Sequence, residues 1–282
     1  MSVRIVTDSL SDLTPDHIKD LGITVVPLTV LFGHETYLDR VTISTDDFYR
    51  RLVHGGVWPA STQPAPQDFA NAYDKLAAET DEILTLSVSS KLSGTYQSAM
   101  AGRDLMKNKQ CRVEVIDTKT VAMGMGLVAT STAKEAKKGM RLSGLVDYAN
   151  NALKRSHFIA YFDTLKYLAK GGRIGKAAGL LGSVLSVKPI LTTREGEMAP
   201  VTRLRSRAAG LDYLQRFITS FMNVEMVAVE HSTDSEAADI LAAHFSAAFP
   251  KVTVLRSTVS PVLGVYGGPN ALAATVLEAV GK

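Results

Sequence analysis

Short apolar runs alternate with longer amphipathic stretches along most of the chain, and β-branched residues gather in the short runs. Runs at 3–6, 23–30, 83–88 and 112–117 have the length and composition of strands, with 37–41 as a short returning hairpin arm. Between them apolar positions recur at helical spacing. Thr14 and Pro15 open a helix that Gly22 stops, and Thr45 caps one over 45–53 that ends at His54-Gly55-Gly56. Further helices are expected over 67–79, from Tyr96 onward, over 123–138 and over 143–154. The 123–138 segment is apolar on one face and carries lysines toward its C-terminal end, which suits the helix dipole, and Gly139 stops it. Strands alternating with helices imply βαβ units and a parallel sheet, so the first half is expected to be a doubly wound α/β domain of about four or five strands.

The pattern changes after residue 155. Strands are expected at 158–162, 226–231 and 252–258, and helices at 164–169, 206–221, 235–249 and 271–280. Two runs at 187–192 and 198–202, joined by Arg194-Glu195-Gly196-Glu197, read as hairpin arms. A hairpin inside an alternating pattern calls for a mixed sheet. The expected organisation is therefore an N-terminal α/β domain over 1–155 and a C-terminal mixed α/β domain over 156–282, with no internal repeat.

Composition narrows the function classes. Apolar residues make up 46% of the 282 positions and charged residues 21%, which supports a sizeable core. Mean hydropathy is +0.08, slightly apolar, and leaves room for an internal apolar cavity. The net charge of +3 is too mild to imply nucleic acid, which demands a concentrated basic face. Cys111 is the only cysteine, so an intramolecular disulfide and a cysteine-based zinc site are excluded, in keeping with a reducing cytoplasm. The N-terminus lacks an apolar signal stretch, and no apolar run reaches the roughly 18 residues of an integral membrane segment.

Candidate chemistry concentrates where strand 83–88 breaks into Ser89, Ser90, Ser93, Gly94 and Thr95 before a helix. A hydroxyl-rich turn at a helix N-terminus offers backbone N–H groups and hydroxyls to an anion. The same residues serve equally as an ordinary cap, and the turn alone does not choose. The stretch 58–66 holds Pro59, Pro64 and Pro66, which forbid a regular helix or central strand, so Ser61, Thr62 and Gln63 sit in an extended loop. Lys170–Lys176 resembles a phosphate-binding loop but is one residue short, and Ala177 stands where a metal-reaching hydroxyl is needed; a hinge turn is the better reading. Met123-Gly124-Met125-Gly126 has no third glycine in register and reads as close helix packing. The six histidines share no i, i+4 face, so no zinc motif is visible, and Asp8 and Asp12 suit caps and turns better than a metal. Arg203, Arg205 and Arg207 alternate, with Arg173, Lys176 and Lys188 upstream; they are either a solvated strand edge or a basic face for an acidic partner. Tyr266 lies in a glycine-rich loop after the last expected strand, placed either at a cleft or in the core.

Four stretches taken together resemble one known family. They are Val6-Thr7-Asp8-Ser9 with Asp12, then Ser61-Thr62-Gln63-Pro64, then Ser89-Ser90-x-Leu92-Ser93-Gly94-Thr95, then Tyr167-Leu168-x-Lys170-Gly171-Gly172-Arg173-Ile174. In order and spacing the set is similar to the DegV family, the fatty-acid-binding, FakB-type subunits of bacterial fatty acid kinase. The resemblance implies a two-domain α/β protein with one long-chain fatty acid between the domains and no other cofactor. Carried over residue by residue, the carboxylate would meet Ser61, Thr62, Ser93 and the N–H of Gly94. Tyr266 stands where the family pattern has histidine, and Ser61-Thr62 reverses the usual Thr-Ser order. The resemblance also implies a separate ATP-dependent kinase as partner, for which Arg173, Arg203, Arg205 and Arg207 are the candidate docking face, and no catalysis by this chain itself. The apolar residues 177–185 and the methionines at 123 and 125 are candidates for a tunnel wall, against ordinary core packing. A stand-alone hydrolase or phosphotransferase using Ser93, and a lipid-sensing module, are the competing readings.

Overall fold

The computed structural model describes residues 2–181 and 187–281. The first half runs β1 (Arg4–Asp8), α1 (Pro15–Leu21), β2 (Thr24–Val26), β3 (Thr29–Phe32), β4 (Glu35–Leu38), α2 (Thr45–His54) and β5 (Ala60–Thr62). It continues with α3 (Pro66–Leu76), β6 (Glu82–Ser87), α4 (Thr95–Leu105), β7 (Arg112–Asp117), α5 (Met123–Lys137) and α6 (Leu142–Arg155). The second half runs β8 (Ser156–Tyr161), α7 (Lys166–Lys170), β9 (Lys188–Arg194), β10 (Glu197–Leu204), α8 (Arg207–Thr219) and β11 (Val224–His231). It ends with α9 (Ser235–Ala248), β12 (Thr253–Thr258), α10 (Pro261–Gly267) and β13 (Leu272–Glu278).

The first half carries a parallel sheet of order β2-β1-β6-β7 and the second a mixed sheet of order β10-β9-β8-β13-β11-β12. These are the two sheet types expected. Helices α3 and α4 cover one face of the parallel sheet, α5 and α6 lie between the two sheets, and α8 and α9 cover the far face of the mixed sheet. Helix α5 is accordingly buried all round from Met123 to Ala133, rather than on one face. One apolar cluster runs through this middle layer, from Ile5, Leu84 and Leu86 through Leu127, Val128 and Leu145 to Met226 and Leu277.

Other local expectations are corrected as well, among them the extended loop 58–66, whose residues Ala60–Thr62 pair with β3 as an edge strand. The run 23–30 is two strands, because Pro27 cannot donate to a ladder; β2 joins the parallel sheet and β3 starts a small antiparallel sheet of order β4-β3-β5. Residues 271–280 form strand β13 instead of a helix. Ala, Leu and Glu favour helix intrinsically, but β13 is held antiparallel by β8 and β11 on either side and its small side chains admit α5 and α8 on its two faces. The glycine-containing stretch before it is not a loop but α10, with Pro261 in its first turn. Residues 182–185 of the candidate tunnel wall lie outside the described residues; Ala177 is a buried core residue in a 3₁₀ turn.

Candidate functional site

The site is assembled at the C-terminal end of the parallel sheet. Strand β6 is apolar and buried, and its chain leaves the sheet at Ser87. Asp8, at the end of the adjacent β1, accepts from the Val88 N–H (2.8 Å) and from Ser87 Oγ (3.2 Å). Asp117, at the end of β7, accepts from the Ser90 N–H (3.1 Å) and Ser90 Oγ (2.6 Å). Ser89 Oγ donates to the carbonyl of Gly196 (2.7 Å) in the β9–β10 turn, so the mixed sheet's hairpin braces the turn from the other side. Gly196 sits at φ +87°, and a Cβ there would lie 2.6 Å from Ser89 Oγ. Asp8 also accepts from the Leu10 N–H, the turn-capping role expected of it.

Held this way, Ser93 points into a cavity. The space between its walls, open mouth and adjoining solvent included, is about 880 Å³. The walls are mostly apolar and come from both halves: Leu10, Leu28, Val121, Phe158, Phe162 and Val262 are among them. The polar residues of the wall are Ser61, Gln63, Ser93, Arg173, Glu230 and Tyr266.

Most of these polar groups converge. Ser61 pairs with Val30 on the edge strand β5, and its Oγ lies 2.7 Å from the Tyr266 hydroxyl on α10. The Arg173 guanidinium stands 5.1 Å from the centre of the Tyr266 ring and donates to the carbonyls of Leu92 (3.1 Å) and Gly171 (2.8 Å). A Cβ on Gly171 would come within 2.4 Å of that ring, so glycine is what lets the phenol in. Ser93 Oγ lies 2.8 Å from Thr95 Oγ1 and accepts from the Thr95 N–H, at the open start of α4, whose N-cap Gly94 offers no side chain. The Gln63 amide packs against Gly94. Hydroxyls, a guanidinium and, beside Ser93, a helix N-terminus thus stand along the wall of one cavity, a set of donors suited to a carboxylate.

Not every expected residue joins them. Alternation along β5 leaves Thr62 exposed and outside the cavity wall, while Gln63 takes part. Arg207 is committed elsewhere, to Asp234, to the Asn270 carbonyl (3.1 Å) and to the face of Tyr161. Arg203 and Arg205 are exposed at the end of β10 and do not line the cavity. Met123 and Met125 pack in the core, and Val121 and Ala122 just before them line the cavity instead. Lys170–Lys176 is a turn, with Gly172 and Gly175 at positive φ.

Glu230 is the wall residue for which the sequence carries no local signal. It is fully buried on β11, between an apolar run and His231. Beside it lies buried Asp12, with Arg40 3.3 Å from Asp12 and buried Asp39 next to Arg40 in the chain. Burial pushes all three carboxyls above the ordinary range, Asp39 to about 7 and Glu230 strongly, with the adjacent Asp12 adding to the effect on Glu230.

The model of the DegV family, described as an uncharacterised protein family, matches residues 2–279. The chain belongs to the DegV family. A DegV domain-containing protein of Caldanaerobacter subterraneus is 33% identical over 273 residues, which is 95% of this chain and 96% of that protein. One of Clostridium acetobutylicum is 33% identical over 277 residues, covering 96% of each. Among solved structures, a DegV family protein from Thermus thermophilus, described by its fatty acid binding, superposes with a TM-score of 0.90 at 29% identity over 99% of this chain and 100% of that one. DegV of Bacillus subtilis, a fatty acid binding protein, also gives a TM-score of 0.90, at 25% identity over 99% of this chain and 100% of that one. Among the described residues no helix of this DegV chain is long and apolar enough to cross a membrane, and no cluster of acids, histidines or cysteines is placed to hold a metal ion.

Proposed function

We propose that this chain is a carrier that holds one long-chain fatty acid, its carboxylate among Ser61, Ser93, Arg173 and Tyr266 and its tail along the apolar walls. The observation that carries the reading is the pairing of a mostly apolar cavity with Ser93 on its wall and with Ser61, Tyr266 and Arg173, which stand together there. Burying an alkyl chain contributes about 0.8 kcal/mol per CH₂, so sixteen carbons supply on the order of 10 kcal/mol before entropy costs. The carboxylate keeps its charge if several donors replace its water. Among the described residues the Ser61 and Tyr266 hydroxyls bond to each other, so a carboxylate can take over that bond. The fatty acid binding described for the proteins from Thermus thermophilus and Bacillus subtilis supports the same reading.

In this reading residues 1–155 bring the serine turns, and residues 156–282 close over the tail and contribute Arg173 and Tyr266. The carrier presents its carboxylate, in the cytoplasm, to an ATP-dependent kinase that makes the acyl phosphate. Exposed Arg203 and Arg205, with Arg173 at the cavity, are the residues a kinase would meet. Ser93 is not set up as a nucleophile: its hydroxyl bonds to Thr95, and no histidine lines the cavity among the described residues. Calorimetric titration with palmitate tests the reading. The chain should bind one equivalent, and Ser93→Ala should weaken binding without any acyl-enzyme forming. A trapped acyl-Ser93, or no uptake of palmitate, would overturn it.

A further inference from the structure

Behind the cavity lies a group of acids that the binding reading does not use. Asp8, Asp12, Asp39 and Glu230 are each at most 1% exposed, and Arg40 is the one cation paired with any of them among the described residues. They come from separate elements: Asp8 and Asp12 flank the turn after β1, Asp39 and Arg40 follow β4, and Glu230 belongs to β11 of the mixed sheet. A bound metal ion is not the answer, since no three such side chains among the described residues are placed to hold one. Four buried acids with one paired cation favour the uptake of protons.

The hydrogen bonds say where one proton sits. Asp12 Oδ1 accepts from the Ser260 N–H (3.1 Å) and faces Arg40. Glu230 Oε1 accepts from the Met123 N–H (3.1 Å) at the start of α5. The other two oxygens, Asp12 Oδ2 and Glu230 Oε2, are buried and meet no donor. The two carboxyls are within hydrogen-bonding reach of each other. Two carboxylate oxygens attract only through a proton, and one proton satisfies both orphans. Arg40 pairs with Asp12 and, among the described residues, makes no ion pair with Glu230, on which it acts only at longer range, so Glu230 is the acid and donates to Asp12. Asp8, Asp39 and the buried Tyr49 hydroxyl of α2 lie within electrostatic range of Asp12, and none of them is cationic.

Glu230 is also part of the cavity wall. We propose that Asp12 and Glu230 share one proton between the two halves of the fold, and that the cavity holds an alkyl chain only while that proton stays bound. Without it, two adjacent buried anions would repel across the middle layer and leave a charge against the hydrocarbon. Ligand would then leave in alkaline solution. The coupling to ligand rests on the fatty-acid reading above; the proton sharing does not.

Infrared spectroscopy of the full chain with isotopically labelled glutamate, titrated from about pH 5 to about pH 10, reads the protonated carboxyl directly. A glutamate C=O–H band should be present at neutral pH and absent in Glu230→Gln. Over the range in which the band disappears, affinity for oleate should fall at least tenfold. In Glu230→Gln, whose amide can donate to Asp12 at every pH, no such fall should occur. A wild-type chain without the band at neutral pH overturns the proposal, and needs no variant to fold. Oleate affinity that ignores the loss of the band, or falls equally in Glu230→Gln, overturns the coupling alone. Refusal of oleate at every pH overturns the binding reading instead.

Discussion

Ser93 shows how one hydroxyl can finish a turn and begin a site. It accepts from the Thr95 N–H at the helix start and faces the cavity with its remaining capacity. A hydrogen bond to a charged group contributes about 1.5–3 kcal/mol, so Ser93→Ala should weaken palmitate binding by about ten- to a hundredfold in calorimetric titration. Tyr266→Phe keeps the ring under Arg173 but frees Ser61, and should cost less, about three- to tenfold in the same assay. Asp39 gives a separate test in the absence of ligand. Its carboxyl rises to about 7 and that of Asp8 to about 6, both because of burial. Each binds its proton more tightly folded than unfolded, so the stability they contribute is full below about pH 4 and is lost as pH rises to about 7. The wild-type melting temperature should therefore fall between pH 5 and pH 8 more steeply than that of Asp39→Asn, as measured by scanning calorimetry. At this scale the Ser89–Thr95 turn was legible, because hydroxyls beside glycine mark turns, whereas the strand pairing of Ser61 was not, because it is set by β3. Glu230 was not, because its meaning depends on Asp12, more than two hundred positions away in the chain.

Elements whose pattern is local were readable, and those fixed by their neighbours were not. Strand β6 and the helix after it follow from an apolar run and a polar turn. Helix α1 follows from Thr14, whose side chain accepts from the His17 N–H, and from Gly22 in the left-handed region. Strand β13 has the composition of a helix and is a strand only because β8 and β11 bind it on both edges. Helix α5 carries small and polar residues where a surface helix would be polar, because two sheets press on it. Close approach of elements is also where the site is most easily broken. Gly171→Ala places a methyl group where the Tyr266 ring now lies, so α7 and α10 cannot both keep their positions. Affinity for palmitate should drop at least tenfold with the melting temperature changed by only a few degrees. An unchanged affinity would mean that Tyr266 has no part in the site.

The whole molecule is two large sheets sharing a layer of helices, with a small third sheet beside them and a cavity walled by residues of both halves. The split into a parallel and a mixed sheet was legible from the alternation of strands and helices, interrupted by one hairpin. The cavity was not, because its walls come from residues as distant as Leu10 and Ala273. If the carrier serves a kinase, charge reversal at Arg205 should weaken acyl phosphate formation with that kinase and leave palmitate bound, since Arg205 is exposed and off the cavity wall. The central claim is that this cavity holds a fatty acid. Native mass spectrometry of the chain purified from its host tests it most directly. A one-to-one adduct with the mass of a long-chain fatty acid is the predicted result; a ligand-free chain that also refuses added fatty acid would contradict it.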